Sequence, residues 1–209
     1  MKHSFFRFSV LTLCLLLCLS SMAACRDKGN PEDGTDTTAG DEVTTKAPRP
    51  VLPPENIPPL NQEIESNDGE SLAGYTIDQL TAMWGSAVAE MYGERGYVWE
   101  MPNDLDYVIA YFDEEYYVTE MTYFSAMKAT VVALEGDTVT VAPAVGEKEL
   151  SVAESFAIPV SAFPAKTQEK LAEGLTVYVT YTGTATADGQ IADLVRADTA
   201  RPTSGFARF

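Results

Sequence analysis

Two short acidic clusters supply most of the side chains in this sequence that could do chemistry. One holds Asp104 and Asp106, and the other holds Asp113, Glu114 and Glu115. Two carboxyl groups that face each other can serve as the acid and the base of glycoside hydrolysis. Both clusters fall in predicted tight turns, however, where acidic side chains are usually solvated. We therefore expect no catalytic pair, and at most weak cation binding, because the spacing of an EF-hand is absent.

A serine and a lysine have the spacing of a nucleophile motif. Ser125 and Lys128 fit S-x-x-K, in which the serine must open a helix and cooperate with SDN and KTG motifs. Here a predicted strand begins at the serine, and neither partner motif occurs in the sequence. We interpret this match as chance.

The sequence is poor in imidazole and thiol groups. Its single histidine is His3, and its three cysteines are Cys14, Cys18 and Cys25. If the first 24 residues are removed and Cys25 is modified, the mature chain has neither group. Nucleophiles activated by histidine, and zinc sites with histidine ligands, are then excluded. We predict that the protein is not an enzyme and binds no cofactor.

Residues 1–24 have the pattern of a secretory leader. A basic start and an apolar core from Phe8 to Leu19 precede two small residues. The run Ser-Met-Ala-Ala-Cys that ends at Cys25 resembles the lipobox of bacterial lipoprotein signal peptides. That resemblance implies cleavage just before Cys25, acylation of its thiol and anchoring to the outer face of the cell membrane. The alternative is an uncleaved helix from Phe5 to Ala24, which is long enough to span a bilayer.

The chain is strongly acidic, with a formal net charge of −17. Loss of residues 1–24 would remove Lys2 and Arg7, which takes the charge of the mature chain to −19. Nucleic acid repels such a polyanion, because its binding needs lysine and arginine against phosphate. Residues 61–124 alone contain fourteen acidic residues and one basic residue, Arg95. We therefore expect a protein partner to be basic.

Residues 25–60 are predicted to be a disordered tether. The first half is rich in Gly, Thr, Asp and Glu, and this composition cannot bury enough apolar surface to fold. The second half, residues 48–59, holds six of the twelve prolines and should be extended. A spacer of this kind would lift the folded part off the membrane or through cell-wall polymer.

Residues 61–124 are predicted to form an α+β module, in which a short helix packs on a three-to-four-stranded antiparallel meander. Thr76 and Gln79 have the spacing of a capping box, at the start of a helix within Tyr75–Trp84. Ala87–Tyr92 is expected to add a second helical turn. The strand-like runs that follow are Tyr97–Met101, Tyr107–Asp113 and Tyr117–Phe124.

The order of motifs in this module is similar to that of a known family. The motifs are Leu72-Ala-Gly-Tyr-Thr76, Gln79-Leu80, Trp84-Gly85 and the strand that ends Tyr111-Phe112-Asp113. They resemble the small repeat shared by SmpA/BamE-like lipoproteins and the β-lactamase-inhibitor-protein fold. Ala87 departs from the pattern, because a proline often follows the Trp-Gly pair. The resemblance implies a non-catalytic module that binds proteins in envelope assembly or enzyme inhibition.

Aromatic and acidic residues of this module are candidates for contact with a partner. Alternation along the second strand puts Tyr107 and Tyr111 on the face opposite the helix. An exposed aromatic sheet face often marks an interface. Tyrosine is also simply a good strand residue, and this face could pack within the protein. The candidate partner-binding residues are Trp99, Tyr107, Tyr111, Asp113, Glu114 and Tyr117.

Residues 125–200 are predicted to form a small OB-like β-barrel, followed by a tail at residues 201–209. Five short strands and one helix, Lys166–Glu173, favour this architecture. The pattern is similar to small β-barrel domains of Gram-positive lipoproteins, which implies a Gram-positive cell surface. The predicted strands are Met127–Leu134, Thr138–Ala142, Phe156–Val160, Leu175–Tyr181 and Ile191–Arg196.

Together these features predict a non-catalytic, membrane-anchored lipoprotein outside the cytoplasm that contacts another protein. The alternatives are binding of carbohydrate or cell-wall polymer by the barrel, and weak cation binding by the acidic module. Contact with the membrane would be made through the lipid anchor, because a polyanion is unsuited to lying flat on anionic lipid.

Overall fold

The protein is described by a computed structural model of the 209-residue chain. The described residues are 49–61, 72–91, 93–103 and 105–209. The predicted leader at residues 1–24, the predicted lipidation site Cys25, the predicted tether up to residue 48, and Asp104 lie outside them. The regular secondary structure of the described chain is mostly antiparallel β-sheet, with a few short helices. The coarse prediction of antiparallel strands with few helices is confirmed.

Nine strands are present in the described residues, and they form one sheet. They are β1 (Ala89–Glu90), β2 (Gly96–Glu100), β3 (Tyr107–Phe112), β4 (Val118–Glu135), β5 (Thr138–Pro143), β6 (Phe156–Pro159), β7 (Thr176–Tyr181), β8 (Leu194–Asp198) and β9 (Ala207–Arg208). The order is β6-β5-β4-β3-β2-β1-β9. Strand β7 also pairs with β4, and β8 pairs with β7.

The 18-residue strand β4 takes part in both halves of the sheet. Its first part, from Val118 to Phe124, pairs with β3. From Ser125 onward it pairs with β7, and further along it also pairs with β5. We predicted two strands here, but Ser125 and Ala126 are buried members of the β4–β7 ladder. One continuous strand therefore crosses the predicted boundary between residues 124 and 125.

The first helix, α1 (Ile77–Trp84), begins at the predicted capping box. Thr76 Oγ1 accepts from the backbone N–H of Gln79, and Gln79 Oε1 accepts from the backbone N–H of Thr76 at 2.9 Å. Leu80 is fully buried and fixes the inner face of the helix. This start was predictable because a capping box is a local signal.

The other helical predictions are corrected by the structure. The second helix, α2, spans only Ala165–Gln168 and not Lys166–Glu173. The longer stretch, KTQEKLAE, has too few apolar residues to hold a helix against the sheet. The turn expected at Ala87–Tyr92 is replaced by strand β1, because Ala89 and Glu90 pair with β2 and β9.

The core is divided between the two halves of the sheet. The first cluster packs α1 against β2, β3 and the first part of β4, and the second fills the space enclosed by β4 to β8. A third, small cluster lies on the other side of β2 and β3. Representative buried members are Leu80, Trp99 and Val108 in the first, Met127, Phe156 and Val179 in the second, and Val98, Tyr107 and Ile109 in the third.

Residues 49–61, here called the docked segment, pack against the folded unit. Ile57 is 3% exposed, and Trp84 Nε1 donates to the carbonyl of Pro58 at 2.8 Å. The prediction of a disordered tether over residues 25–60 is therefore wrong for this segment. Apart from a 3₁₀ turn at Pro54–Asn56, the segment is extended, and its carbonyl groups at Leu52 and Pro58 accept hydrogen bonds from the α1 side chains Gln79 and Trp84.

The predicted tail at residues 201–209 is also part of the fold. Ala207 and Arg208 form β9, which pairs with β1. Thr203 is buried and donates a hydrogen bond to Glu100. The ring of Phe209 stacks on Tyr97, with 6.0 Å between centroids. The C-terminal residues thus cover the edge of the first half of the sheet.

Candidate functional site

Two of the predicted partner-binding residues belong to the core. Trp99 is 1% exposed, and its Nε1 donates to the carbonyl of Gly85 at 2.9 Å. Tyr107 is 5% exposed and stacks on Phe124, with 4.7 Å between ring centroids. The prediction that these two side chains meet a partner is wrong. Tyr107 packs within the protein, which was the alternative left open for this face.

The remaining predicted contact residues lie around the β3–β4 turn. Glu114 is exposed, whereas Tyr111 and Tyr117 are half-buried. Arg49 of the docked segment pairs with Asp113 at 2.6 Å and lies 4.6 Å above the ring of Tyr117. The backbone N–H of Tyr117 lowers the pKa of Asp113, desolvation opposes this, and Arg49 lowers the pKa further. Asp113 therefore holds the docked segment.

Asp106 is fully buried, and its carboxylate has four donors among the described residues. Its Oδ2 accepts from the Tyr123 hydroxyl at 2.7 Å and from Asn103 Nδ2 at 2.8 Å. Lys148 Nζ lies 2.9 Å from the same oxygen, and the backbone N–H of Ala126 donates to Oδ1 at 2.6 Å. The expectation of a solvated turn residue is wrong, because these donors replace the lost hydration of the carboxylate.

Ser125 lies beside Lys148 and not beside Lys128. Its side chain is 8% exposed and accepts from Lys148 Nζ at 3.2 Å. Lys128 is exposed, three residues along β4, and three residues separate opposite faces of a strand. The Lys148 ammonium donates both to Ser125 and to Asp106, whereas a nucleophilic serine must give its own proton to a base. Lys148 thus acts toward Ser125 as a hydrogen-bond donor and not as a base.

Glu149 is a second buried carboxylate, at 1% exposure. Its Oε1 accepts from the Tyr181 hydroxyl, and its Oε2 has no hydrogen-bond partner in the described part of the chain. Burial raises the pKa of Tyr181, and the bond to Glu149 raises it further, so this hydroxyl stays a neutral donor. Burial also raises the pKa of Glu147. A hydrogen bond with the backbone of Lys128 lowers this pKa, whereas the charges of Glu149 and Asp106 raise it further.

Ser125, Lys148, Glu149 and Tyr181 line a pocket of about 340 Å³. Direct pairing of Ser125 with Tyr181 in the β4–β7 ladder sets their separation. The 3₁₀ helix Lys148–Ser151 brings Lys148 and Glu149 to the same place. Gly183 must be glycine, because a Cβ there would lie 2.6 Å from the carbonyl oxygen of Ala192. The other lining residues are Tyr123, Ser151, Val152, Thr182, Thr184 and Ala185.

No local sequence pattern indicates this pocket. Lys148, Glu149 and Tyr181 belong to no recognisable motif, and they lie far from Ser125 in the sequence. Tyr123 and Ser125 share a face because they are two residues apart on β4, but the sequence does not indicate that one strand contains both. The pairing of β4 with β7 is set by distant parts of the chain, and no local pattern reports it.

The described residues contain neither a candidate metal site nor a helix that could span a membrane. No group of three or more His, Cys, Asp or Glu side chains there is arranged to hold a metal ion. None of the helices in the same residues has the length and apolar character needed to cross a membrane. In the acidic turn at 113–115, Arg49 forms ion pairs with the side chains of Asp113 and Glu115.

No protein-family model and no curated protein matches this sequence. Among solved structures, the chain is similar to eukaryotic translation initiation factor 5A from Methanococcus jannaschii. The two share 14% sequence identity at a TM-score of 0.24, over 56% of this chain and 92% of that chain. A likeness at this level carries no argument about fold or function.

Proposed function

We propose that this chain is a non-catalytic lipoprotein, anchored outside the cytoplasm through Cys25, whose folded unit binds a small polar ligand. One observation carries the ligand-binding part. Glu149 is buried in the lining of a pocket, and its Oε2 has no hydrogen-bond partner in the described residues. A buried carboxylate oxygen that lacks a donor is costly, so a ligand that supplies one is bound favourably.

The composition of the pocket favours carbohydrate or another hydroxylated fragment of cell-wall polymer as the ligand. Hydroxyl groups of Ser125, Ser151, Thr182 and Thr184 line it and can both donate and accept. Its volume of about 340 Å³ is at the small end of the range for ligand sites, which begins near 300 Å³. The ligand is therefore of about monosaccharide size.

A tryptophan placed in the pocket tests this function. Val152 lines the pocket and is 39% exposed, so Val152→Trp should fill it without disturbing the core. Val145 is 97% exposed and does not line the pocket, so Val145→Trp is the matched control. Soluble peptidoglycan fragments should bind the unaltered chain and Val145→Trp, but not Val152→Trp, in calorimetric titrations. Equal binding by all three proteins would contradict a site in this pocket.

Anchoring through Cys25 is supported by the sequence of the leader. The basic start and the apolar core are those of a secretory leader, and the run that ends at Cys25 resembles the lipobox of bacterial lipoproteins. A Gram-positive surface fits the likeness of residues 125–200 to barrel domains of such lipoproteins. Intact-mass measurement on protein extracted from membranes should give a chain that begins at an acylated Cys25. An unmodified Cys25 in a chain that begins at Met1 would contradict this part.

A second candidate function is contact with a basic protein through the acidic half of the molecule. Exposed carboxylates at Glu94, Glu114 and Glu120 favour it, since 61–124 carries almost no compensating positive charge. With Trp99 and Tyr107 in the core, the contact would depend on charge and fall with added salt. Crosslinking in intact cells should capture a basic protein at these positions, and its absence would count against this candidate.

Two proposed fold assignments, one for each half of the sheet, agree with a non-catalytic function. We propose that α1 with β2, β3 and the start of β4 is the SmpA/BamE-like helix-on-meander module, and that the strands from Ser125 onward are an OB-like barrel. Burial of Leu80 against the sheet supports the first, and the antiparallel strands around the second cluster support the second. Neither architecture requires a catalytic group.

A further inference from the structure

We propose that the ligand of the pocket carries a protonated amine, and that the carboxylate of Glu149 binds this amine as its counter-ion. This inference rests on the proposed function, because it names the chemical class of the ligand of that same site. The class is a small hydroxylated amine of the amino-sugar type. Such a compound combines one positive charge with several hydroxyl groups.

The first argument is the balance of charge around the pocket. Asp106 and Glu149 are both buried carboxylates, at 0% and 1% exposure, and the Lys148 ammonium contacts Asp106. Lys148 Nζ is 2.9 Å from Asp106, so that charge is matched. The partner of Glu149 is the neutral hydroxyl of Tyr181. When ionised, Glu149 therefore has no counter-charge within the described residues, in surroundings of low dielectric constant where a cation is attracted strongly.

The second argument is the unused acceptor on Glu149. Its Oε2 has no donor in the described residues, although the residue lines the pocket. An ammonium group has three protons and no acceptor. One proton can serve Glu149, while oxygen atoms of Ser151, Thr182 or Thr184 are available in the same lining for the others. A protonated amine thus satisfies both the charge and the hydrogen bonding of the site.

Other ligand charges fit less well. A neutral sugar can donate a hydrogen bond to Glu149, but it leaves the buried charge unmatched. An anionic ligand would need Lys148, whose ammonium already donates to Asp106 and Ser125. An anion would also approach the Glu149 carboxylate, which repels it.

Three sugars that differ in one substituent test the proposal on the full chain purified from membranes. Glucosamine, N-acetylglucosamine and glucose are titrated calorimetrically at a pH below neutral, where the amine of glucosamine is protonated. We expect glucosamine to bind about ten-fold more tightly than the other two, as one matched charge allows. If glucose binds as tightly as glucosamine, this inference is overturned while the proposed ligand site stands. If none of the sugars or peptidoglycan fragments binds, both are overturned.

A substitution that keeps the shape of Glu149 isolates its charge. Glu149→Gln retains an oxygen for the Tyr181 hydroxyl and should reduce glucosamine affinity about ten-fold, with N-acetylglucosamine affinity unchanged. Glu154→Gln is the control, because Glu154 is exposed and lies outside the pocket. Unchanged glucosamine affinity in a folded Glu149→Gln protein would overturn the proposal. The comparison of sugars on the unaltered chain decides it even if this variant does not fold.

Discussion

Asp106 shows how one side chain can have a role opposite to the one its local sequence indicates. An acidic residue in the run Pro-Asn-Asp-Leu-Asp has the composition of a solvated turn. In the fold it is fully buried and joins Asn103, Tyr123 and Lys148, which come from three separate parts of the chain. The Asn103 contact is local and was within reach of prediction. The other two depend on where distant segments meet, which residue type alone does not specify.

Replacement of Asp106 should destabilise the whole fold. Asp106→Ala leaves the buried backbone N–H of Ala126 without its acceptor, which costs about 1–3 kcal/mol. The loss of the ion pair adds little, because the Lys148 side chain is 45% exposed and keeps Ser125 as an acceptor. Glu120→Ala, at an exposed position on β4, is the control and should change stability by less than about 0.5 kcal/mol. Urea denaturation of both variants measures the difference. A loss near that of the control would mean that Asp106 is not structurally important.

Among the elements, α1 and the docked segment differ in how far the sequence predicts them. The capping box at Thr76 and Gln79 is read from four consecutive residues, and the helix begins where it indicates. The docked segment has the composition of a linker. Its attachment depends on Ile57 finding a place in the first cluster and on donors such as Trp84 Nε1. Composition identifies extended chain here, but it does not report whether a surface nearby can bind that chain.

Truncation of one side chain in the docked segment should reveal that it is part of the core. Ile57→Ala removes a side chain that is 3% exposed, and comparable core truncations cost about 2–5 kcal/mol. Val51→Ala, six residues earlier and at 85% exposure, should cost less than about 0.5 kcal/mol. Thermal unfolding of the two variants measures the effect. Equal melting temperatures would show that the segment contributes no stability in solution.

At the scale of the whole molecule, β4 couples the two halves of the sheet, so that we expect them to unfold together. Because the strand passes from the β3 ladder to the β7 and β5 ladders without a break, either half loses a template when the other unfolds. The sequence indicates the strand-forming residues on both sides of Ser125. It does not indicate their continuity, since a short polar break and a continuous strand have nearly the same local pattern.

Unfolding should therefore be a single transition, so that tryptophan fluorescence from one half of the sheet also reports a substitution in the other half. Both tryptophans, Trp84 and Trp99, belong to the first cluster, so their fluorescence reports on that half alone. Ile158→Ala, in the second cluster, should lower the stability measured by tryptophan fluorescence by about 2–5 kcal/mol. Val145→Ala, at 97% exposure, serves as the control. A fluorescence transition that Ile158→Ala leaves unmoved would show that the halves unfold independently.

The docked segment also has a consequence for force. On the proposed anchoring, a chain from Cys25 to Arg49 could span at most roughly 80 Å at full extension, whereas one from Cys25 to residue 60 could span roughly 120 Å. A pull on the lipid would load the Arg49–Asp113 pair and the bonds to Pro53 and Pro58 before it loaded any strand. The docked segment would then detach from the folded unit before any strand separated. Its release would lengthen the connection to the membrane and leave the sheet intact under load.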